Sequence, residues 1–303
     1  MSSARHSHLL PDQFFDWFQR RGWAPHRHQL DLLTNAQKGE DTLLIAPTGA
    51  GKTLAGFLPS LVDLGSPVNS RRPSAVHTLY VSPLKALAVD IERNLEFPIK
   101  DIGLDIRVET RTGDTPQAKR QRQIQRPPDI LLTTPEQVSL LLAHREADKF
   151  FSHLKFIIID ELHAIAPTKR GELLSLAMAR LRTHAPKLVT IGLSATIRNK
   201  IELCSYLVSQ TERDLSARLI EVEERTKPDI RILDSQTRLP LAGHTALSSM
   251  AEIYNAILTH KMSLVFVNTR MQAEFVFQAL WKINEKALPI ALHHGSLDRK
   301  STR

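Results

Sequence analysis

The stretch LLIAPTGAGKT, residues 43–53, holds the residue types that cradle a polyphosphate. Gly49 and Gly51 let the backbone bend until its N–H groups face an anion. Lys52 can reach the β- and γ-phosphates of ATP, and the Thr53 hydroxyl can ligate Mg2+. Thr48 and Ala50 complete the loop, and a helix starting at its end adds a positive dipole. The usual pattern opens on glycine, whereas Ala46 stands in that place. An ordinary tight turn is the bland alternative, and the strand-like run before the intact Gly-Lys-Thr counts against it.

A second stretch, FIIIDELH, ends an apolar run on two acids. Asp160 is placed to hold Mg2+ through water, and Glu161 to polarise an attacking water as general base. A solvated surface acid pair is the alternative, but it would not need a buried strand to carry it. His163 follows closely enough to relay the state of the site. In GLSATI, Ser194 and Thr196 offer hydroxyls at another strand end, suited to linking this site to a second one. Alone, that tripeptide is a common turn.

Two further runs, YVSPLKAL and LLTTPEQV, each place Ser or Thr before Pro at a strand end. Ser82 and Thr134 read as N-caps with Pro83 and Pro135 at the first helical position, and Gln137 completes a capping-box spacing with Thr134. Two helix N-termini on one sheet edge make two anion sites, and Lys85 adds charge to the first. Between them lies ETRTGDT, whose Gly113-Asp114 can turn at the end of another strand. Capped helices without a ligand would explain each motif singly; their occurrence on one edge points to a groove that tracks a nucleic-acid backbone. The run AKRQRQIQRPP, residues 118–128, reads as a solvated helix face in preference to a phosphate contact.

Positioning these groups requires an alternation of strands and helices. Strands are predicted over 42–46, 77–82, 106–110, 129–134, 156–160, 189–194, 217–222, 263–268 and 289–294. Several are continuous apolar runs, as in strands buried on both faces. The expected fold class is α/β, a parallel sheet with helices on both faces, with the chemistry just beyond the carboxyl ends of the strands. The charged, proline-bearing stretch from Glu221 to Pro228 marks a domain boundary. Lysine plus arginine number 40 against 32 acids, a formal charge of +8, which favours a polyanionic partner. The one cysteine, Cys204, rules out an intrachain disulfide and reads as a core residue. No apolar run approaches the ~18 residues of a membrane span, and no signal segment opens the chain. These features lead us to expect a cytoplasmic protein with no membrane partner.

The motif set, in this order, resembles a superfamily 2 DExH-box helicase. Gln29 in PHRHQL matches the upstream glutamine that reads adenine, followed by APTGAGKT, SPLKALAVD, TGDT, TTPE, DELH, SAT, LVFVNTR and HHGSL. More narrowly, GWAPHRHQL, LYVSPLKALAVDIERNLEFPI and DELHAIAPTKRGELL look like the Lhr group, closest to the bacterial ligase-associated DEXH-box DNA helicases.

The resemblance implies a RecA-like P-loop NTPase. Its first RecA-like domain would be complete over 1–222, with a helical lead-in over 1–40, and a truncated second one would occupy 223–303. ATP and Mg2+ would be the cofactors, with Lys52, Thr53, Asp160 and Glu161 carrying hydrolysis and Ser194 and Thr196 coupling it to movement. Pro83, Lys85, Gly113, Asp114 and Thr134 would grip a strand from the first domain, and Asn268, Thr269, Arg270, His294, Gly295 and Ser296 from the second. The implied activity is 3′-to-5′ movement on single-stranded DNA. The duplex substrate would be DNA or a DNA–RNA hybrid, and a repair ligase and a nuclease would be partners. Without the groups that reach ATP from the rest of a second domain, these 303 residues are expected to hydrolyse ATP barely. Apolar side chains such as Phe275, Phe277, Leu280 and Trp281 are expected to be uncovered. The rival readings are a non-catalytic nucleotide- and nucleic-acid-binding module and a transporter motor; the LSGGQ-type signature of the latter is absent from the sequence.

Overall fold

A computed structural model describes residues 9–66, 73–195, 199–209, 216–223, 229–232 and 249–294. Thr196, Gly295 and Ser296 lie outside the described residues. The chain divides into two compact units, Met1–Thr226 and Lys227–Arg303.

The first unit is built on seven strands: β1 (Thr42–Ile45), β2 (Thr78–Val81), β3 (Val108–Arg111), β4 (Ile130–Thr133), β5 (Phe156–Ile159), β6 (Val189–Ser194) and β7 (Arg218–Glu221). Its helices are α1 (Asp12–Arg20), α2 (Arg27–Gln37), α3 (Lys52–Leu64), α4 (Lys85–Ile102), α5 (Gln117–Gln125), α6 (Pro135–Leu142), α7 (Ala147–Phe151), α8 (Leu162–Ile165), α9 (Lys169–His184) and α10 (Lys200–Leu207). The strands form one sheet in the order β3-β4-β2-β5-β6-β1-β7, and every pairing is parallel.

Successive residues of a strand point to opposite faces. Leu43, Ile45, Ile157 and Ile159 enter one hydrophobic core, whereas Leu44, Phe156 and Ile158 enter the other. This explains the unbroken apolar runs: a strand covered on both sides has no face left for polar residues. Cys204 lies in the first of these cores, as expected, and burial raises its thiol pKa.

The register brings the carboxyl ends into one row. Arg111 pairs with Thr133, Thr133 with Val81, Val81 with Ile159, Ile159 with Gly192, and Ser194 with Ile45. The described motif residues that follow β1 to β6 therefore leave the sheet along the same edge. Gly171 fixes a close approach at the start of α9, because a Cβ there would lie 2.4 Å from the Ile165 carbonyl oxygen.

The second unit contains α11 (Met250–Leu258) and α12 (Arg270–Lys282), packed around Met250, Tyr254 and Leu280. Two expectations fail here. The runs 263–268 and 289–294 are not strands, and Leu264 and Phe266 are exposed. A strand is defined by its ladder, and these runs have no partner among the described residues. Leu280, expected to be uncovered, is buried by α11, while Phe275 and Trp281 are exposed as expected.

One expected helix start and one expected capping box also differ. Ser82 and Pro83 do not open α4; Leu84 is its N-cap and Lys85 its first residue. The Ser82 hydroxyl instead folds onto the Leu84 backbone, accepting from its N–H at 3.3 Å, and so competes with a cap. Thr134 is the N-cap of α6 with Pro135 at the first position, but no capping box with Gln137 forms: its side-chain oxygen is buried without a hydrogen-bond partner.

Candidate functional site

The phosphate-type loop runs from the end of β1 to the start of α3. Gly49 and Gly51 both have positive φ, +84° and +75°, where a Cβ is disfavoured. Lys52 and Thr53 form the first turn of α3. The loop is held from behind by α2 and the residue before it. His28 donates from Nε2 to the Ala50 carbonyl at 3.0 Å, and Gln29 donates from Nε2 to the Gly51 carbonyl at 3.4 Å. The other end of the Gln29 amide accepts from the His26 N–H at 2.9 Å. Burial lowers the His28 pKa despite its bond to Ala50, which favours the neutral ring.

Asp160 follows β5 and is buried, whereas Glu161 is half-buried. One Asp160 oxygen accepts from the Tyr80 hydroxyl at 2.5 Å, the other from the Glu161 N–H at 2.9 Å. Burial, then the Asp160 charge, raises the Tyr80 pKa, so the phenol stays a donor. Glu161 has φ +48° and ψ +45°, a left-handed conformation that is strained for a side chain larger than glycine. That turn carries the chain from the strand into α8 and leaves His163 between two partners. His163 Nδ1 lies 2.8 Å from Ser194 Oγ and 3.5 Å from Glu161 Oε2. The acid pair and the Ser194 strand end are therefore joined through His163.

Further along the row, Lys85 and Asp114 form an ion pair at 2.9 Å over the Gly113 turn. Thr134 is buried at the next strand end, and Pro83 lies at the end of β2. Arg170 of α9 ties these parts together. It donates from NH1 to the Pro83 carbonyl at 2.8 Å, and from Nε and NH2 to the two Glu136 oxygens at 2.5 and 3.2 Å. Burial opposes ionisation of Glu136, but the Arg170 and Thr134 hydrogen bonds bring its pKa down to about 2. In the second unit, Asn268, Thr269 and Arg270 gather at the start of α12, with the Thr269 hydroxyl accepting from the Gln272 N–H. His294 reaches the same helix through Glu274 at 2.8 Å.

The sequence reading missed Tyr80, His28 and Arg170. Tyr80 had a usable signal, since a phenol inside a buried strand must find an acceptor. Arg170 had none, because its carboxylate partner is 34 residues away. The 118–128 run is also not simply a solvated face: Gln123 is buried and Arg120 turns onto the Gly113 loop.

Two oxygen donors, the Thr53 hydroxyl in the first turn of α3 and the Asp160 carboxylate just after β5, are of the kind that suits a hard cation such as Mg2+ that keeps several waters. Among the described residues, no helix is long and apolar enough to cross a membrane.

The sequence pattern of the DEAD/DEAH box helicases matches residues 26–204. The chain is 37% identical over 300 residues to the Lhr helicase/probable uracil glycosylase of Mycolicibacterium smegmatis, covering 92% of this chain and 19% of that protein. It is 35% identical over 309 residues to ATP-dependent helicase Lhr-Core protein 2 of Thermococcus barophilus, covering 96% of this chain and 36% of the relative. The solved structure of Mycobacterium smegmatis helicase Lhr bound to ssDNA and AMP-PNP matches with a TM-score of 0.76 and 34% identity, over 96% of this chain and 39% of that one. The chain thus spans between 19% and 39% of the length of these proteins.

Proposed function

This chain belongs to the DEAD/DEAH box helicase family and has its RecA-like fold, and on that premise we propose that it binds MgATP and a single nucleic-acid strand as part of an ATP-driven translocase. The observation that carries the reading is the shared row of strand ends. The phosphate-type loop, the Asp160-Glu161 pair and the His163–Ser194 bond lie along one part of it, and Pro83, Lys85, Gly113, Asp114 and Thr134 along the other.

Lys52 neutralises the terminal phosphates, and the α3 N-terminus supplies backbone N–H groups. Thr53 and Asp160 would hold Mg2+, which neutralises phosphate charge when bound. Tyr80 fixes one Asp160 oxygen and so holds in one orientation the carboxylate that would ligate the cation. Glu161 takes up the proton of the attacking water, and its turn conformation holds it clear of the strand. His163 transmits a change at Glu161 to Ser194. Arg170 carries it further, because α9 follows α8 directly and is bonded to both strand-side turns.

The motif resemblance alone supports a finer reading: 3′-to-5′ movement on single-stranded DNA, unwinding of DNA or DNA–RNA duplexes, and a role in cytoplasmic DNA repair beside a ligase and a nuclease. An arginine finger contributes ~10³–10⁵ in turnover, and none is assigned among these 303 residues, so we expect weak binding of ATP and of a strand, with barely any hydrolysis.

The test is binding of a fluorescent ATP analogue with Mg2+ to the 303-residue chain. Lys52→Ala should weaken affinity at least ~10-fold, about 1.4 kcal/mol. Its melting temperature should move by no more than about 2 °C. Equal affinities for the two proteins would end the reading.

A further inference from the structure

Outside the residues assigned above, the described surface near the strand-side row carries one charge arrangement that its protein partners do not balance. Arg111 ends the edge strand β3 and is 8% exposed. Its guanidinium donates from NH1 to the Arg120 carbonyl at 3.2 Å, while its Nε is buried without an acceptor. Arg120, half-buried on α5, donates from NH2 to the carbonyls of Thr112 and Gly113 at 3.1 and 2.6 Å; its Nε is likewise buried without an acceptor. Neither guanidinium has a carboxylate partner among the described residues. The nearby acids are engaged elsewhere: Glu109 by Arg122 and Gln123, and Asp114 by Lys85. Burial, followed by the charge of Arg120, lowers the Arg111 pKa.

A buried guanidinium beside a second, half-buried one is costly unless an anion joins them. A guanidinium carries five donors in a planar fork that matches a phosphate. Arg120 and Lys85 also flank the same turn: Arg120 bonds the Gly113 carbonyl, and the Lys85 ammonium lies 3.3 Å from where a Gly113 Cβ would sit. Three cations thus meet one carboxylate at this end of the row.

We propose that Arg111 and Arg120 form a seat for one phosphodiester of the bound strand, extending the strand path past the Gly113 turn to the β3 edge. The proposal rests on the strand-binding reading above and assigns it a further contact. Arg120 makes the contact, its fork held by the Thr112 and Gly113 carbonyls, and Arg111 behind it anchors the Arg120 backbone and adds charge. The AKRQRQ helix is then the outer wall of the path.

The experiment measures binding of a fluorescent oligothymidylate to the 303-residue chain across a salt series. Arg120→Gln is compared with Arg122→Gln, a change of equal charge on the same helix at a residue already paired with Glu109. Arg120→Gln should weaken binding about 3–10-fold and reduce the salt slope by ~0.7, the loss of one single-strand phosphate contact. Arg120→Lys should keep the slope and recover part of the affinity. Arg122→Gln should stay within about twofold of the parent. ATP-analogue affinity should be the same in all four proteins, which shows that each is folded.

If Arg120→Gln and Arg122→Gln match in affinity and slope while Lys85→Ala still weakens binding, the seat is wrong and the strand reading stands. If the parent chain binds no strand at low salt, both fall. Inorganic phosphate at matched ionic strength separates the remaining source. Should it raise the melting temperature of the parent but not of Arg120→Gln, with strand binding equal in both, the occupant is a free anion and the proposal is overturned.

Discussion

Phe156–Ile159 and Leu264–Val267 are both four-residue apolar runs that lead into polar motif residues, DELH in one case and NTR in the other. The first is the centre of a sheet, with Ile157, Ile158 and Ile159 all fully buried. The second is irregular, and its Phe266 is 88% exposed. Ile157 lies between Leu79 on one side and Thr190 on the other. No described residue pairs with Leu264 or Phe266. Composition makes a segment competent to be a strand, but only neighbours make it one, because a strand holds none of its own backbone hydrogen bonds.

Hydrogen exchange should give the widest separation between the two runs. The amides of residues 157–159 should be protected at least ~10³-fold, near the global stability of a domain, and those of 264–267 hardly at all. Comparable protection in both would mean that 263–268 pairs with something in solution, and would break the contrast. Side-chain truncation comes next. Ile158→Ala should cost about 2–5 kcal/mol in urea unfolding, from lost burial and a residual cavity. Leu264→Ala should stay within about 0.5 kcal/mol. A large loss from Leu264→Ala would assign that run a packing role.

The smallest effect concerns the Arg170–Glu136 link, which exists only because neighbouring strand ends are brought side by side. Glu136 is lowered from 4.5 to about 2, so its contribution is complete above pH ~4.5 and is lost as the pH falls toward ~2. The pair is more than a third exposed, and solvent screening reduces its worth to about 0.5 kcal/mol. Arg170→Ala should therefore lower stability slightly at pH 6 and flatten that part of the acid limb. An unchanged acid limb would show that the link contributes nothing to stability.

Much of the first unit was legible in the sequence, because its signals are local. Apolar runs marked all seven strands to within two residues, although β3 begins at Val108 rather than at the expected 106. The Gly49 and Gly51 pair announced a loop with positive φ, which the backbone requires there. The second unit was less legible because the same apolar signal at 263–268 and 289–294 reports burial potential and not burial. At the site, Thr134 stands at the N-cap position of α6 as read, although its side chain makes no cap hydrogen bond. Ser82 does not stand at a cap, since its hydroxyl has a competing backbone bond two residues on.

The sequence alone singled out residue types that could do chemistry and placed most of them just after a predicted strand. Residue type and spacing over a few positions are enough for that. Only the tertiary structure decided which of them are neighbours. The strand order β3-β4-β2-β5-β6-β1-β7 is not the chain order. It sets Tyr80 against Asp160 across 80 residues, His163 against Ser194 across 31, and Arg170 against Pro83 across 87. Those contacts depend on register between distant strands, and no local pattern in the chain encodes them.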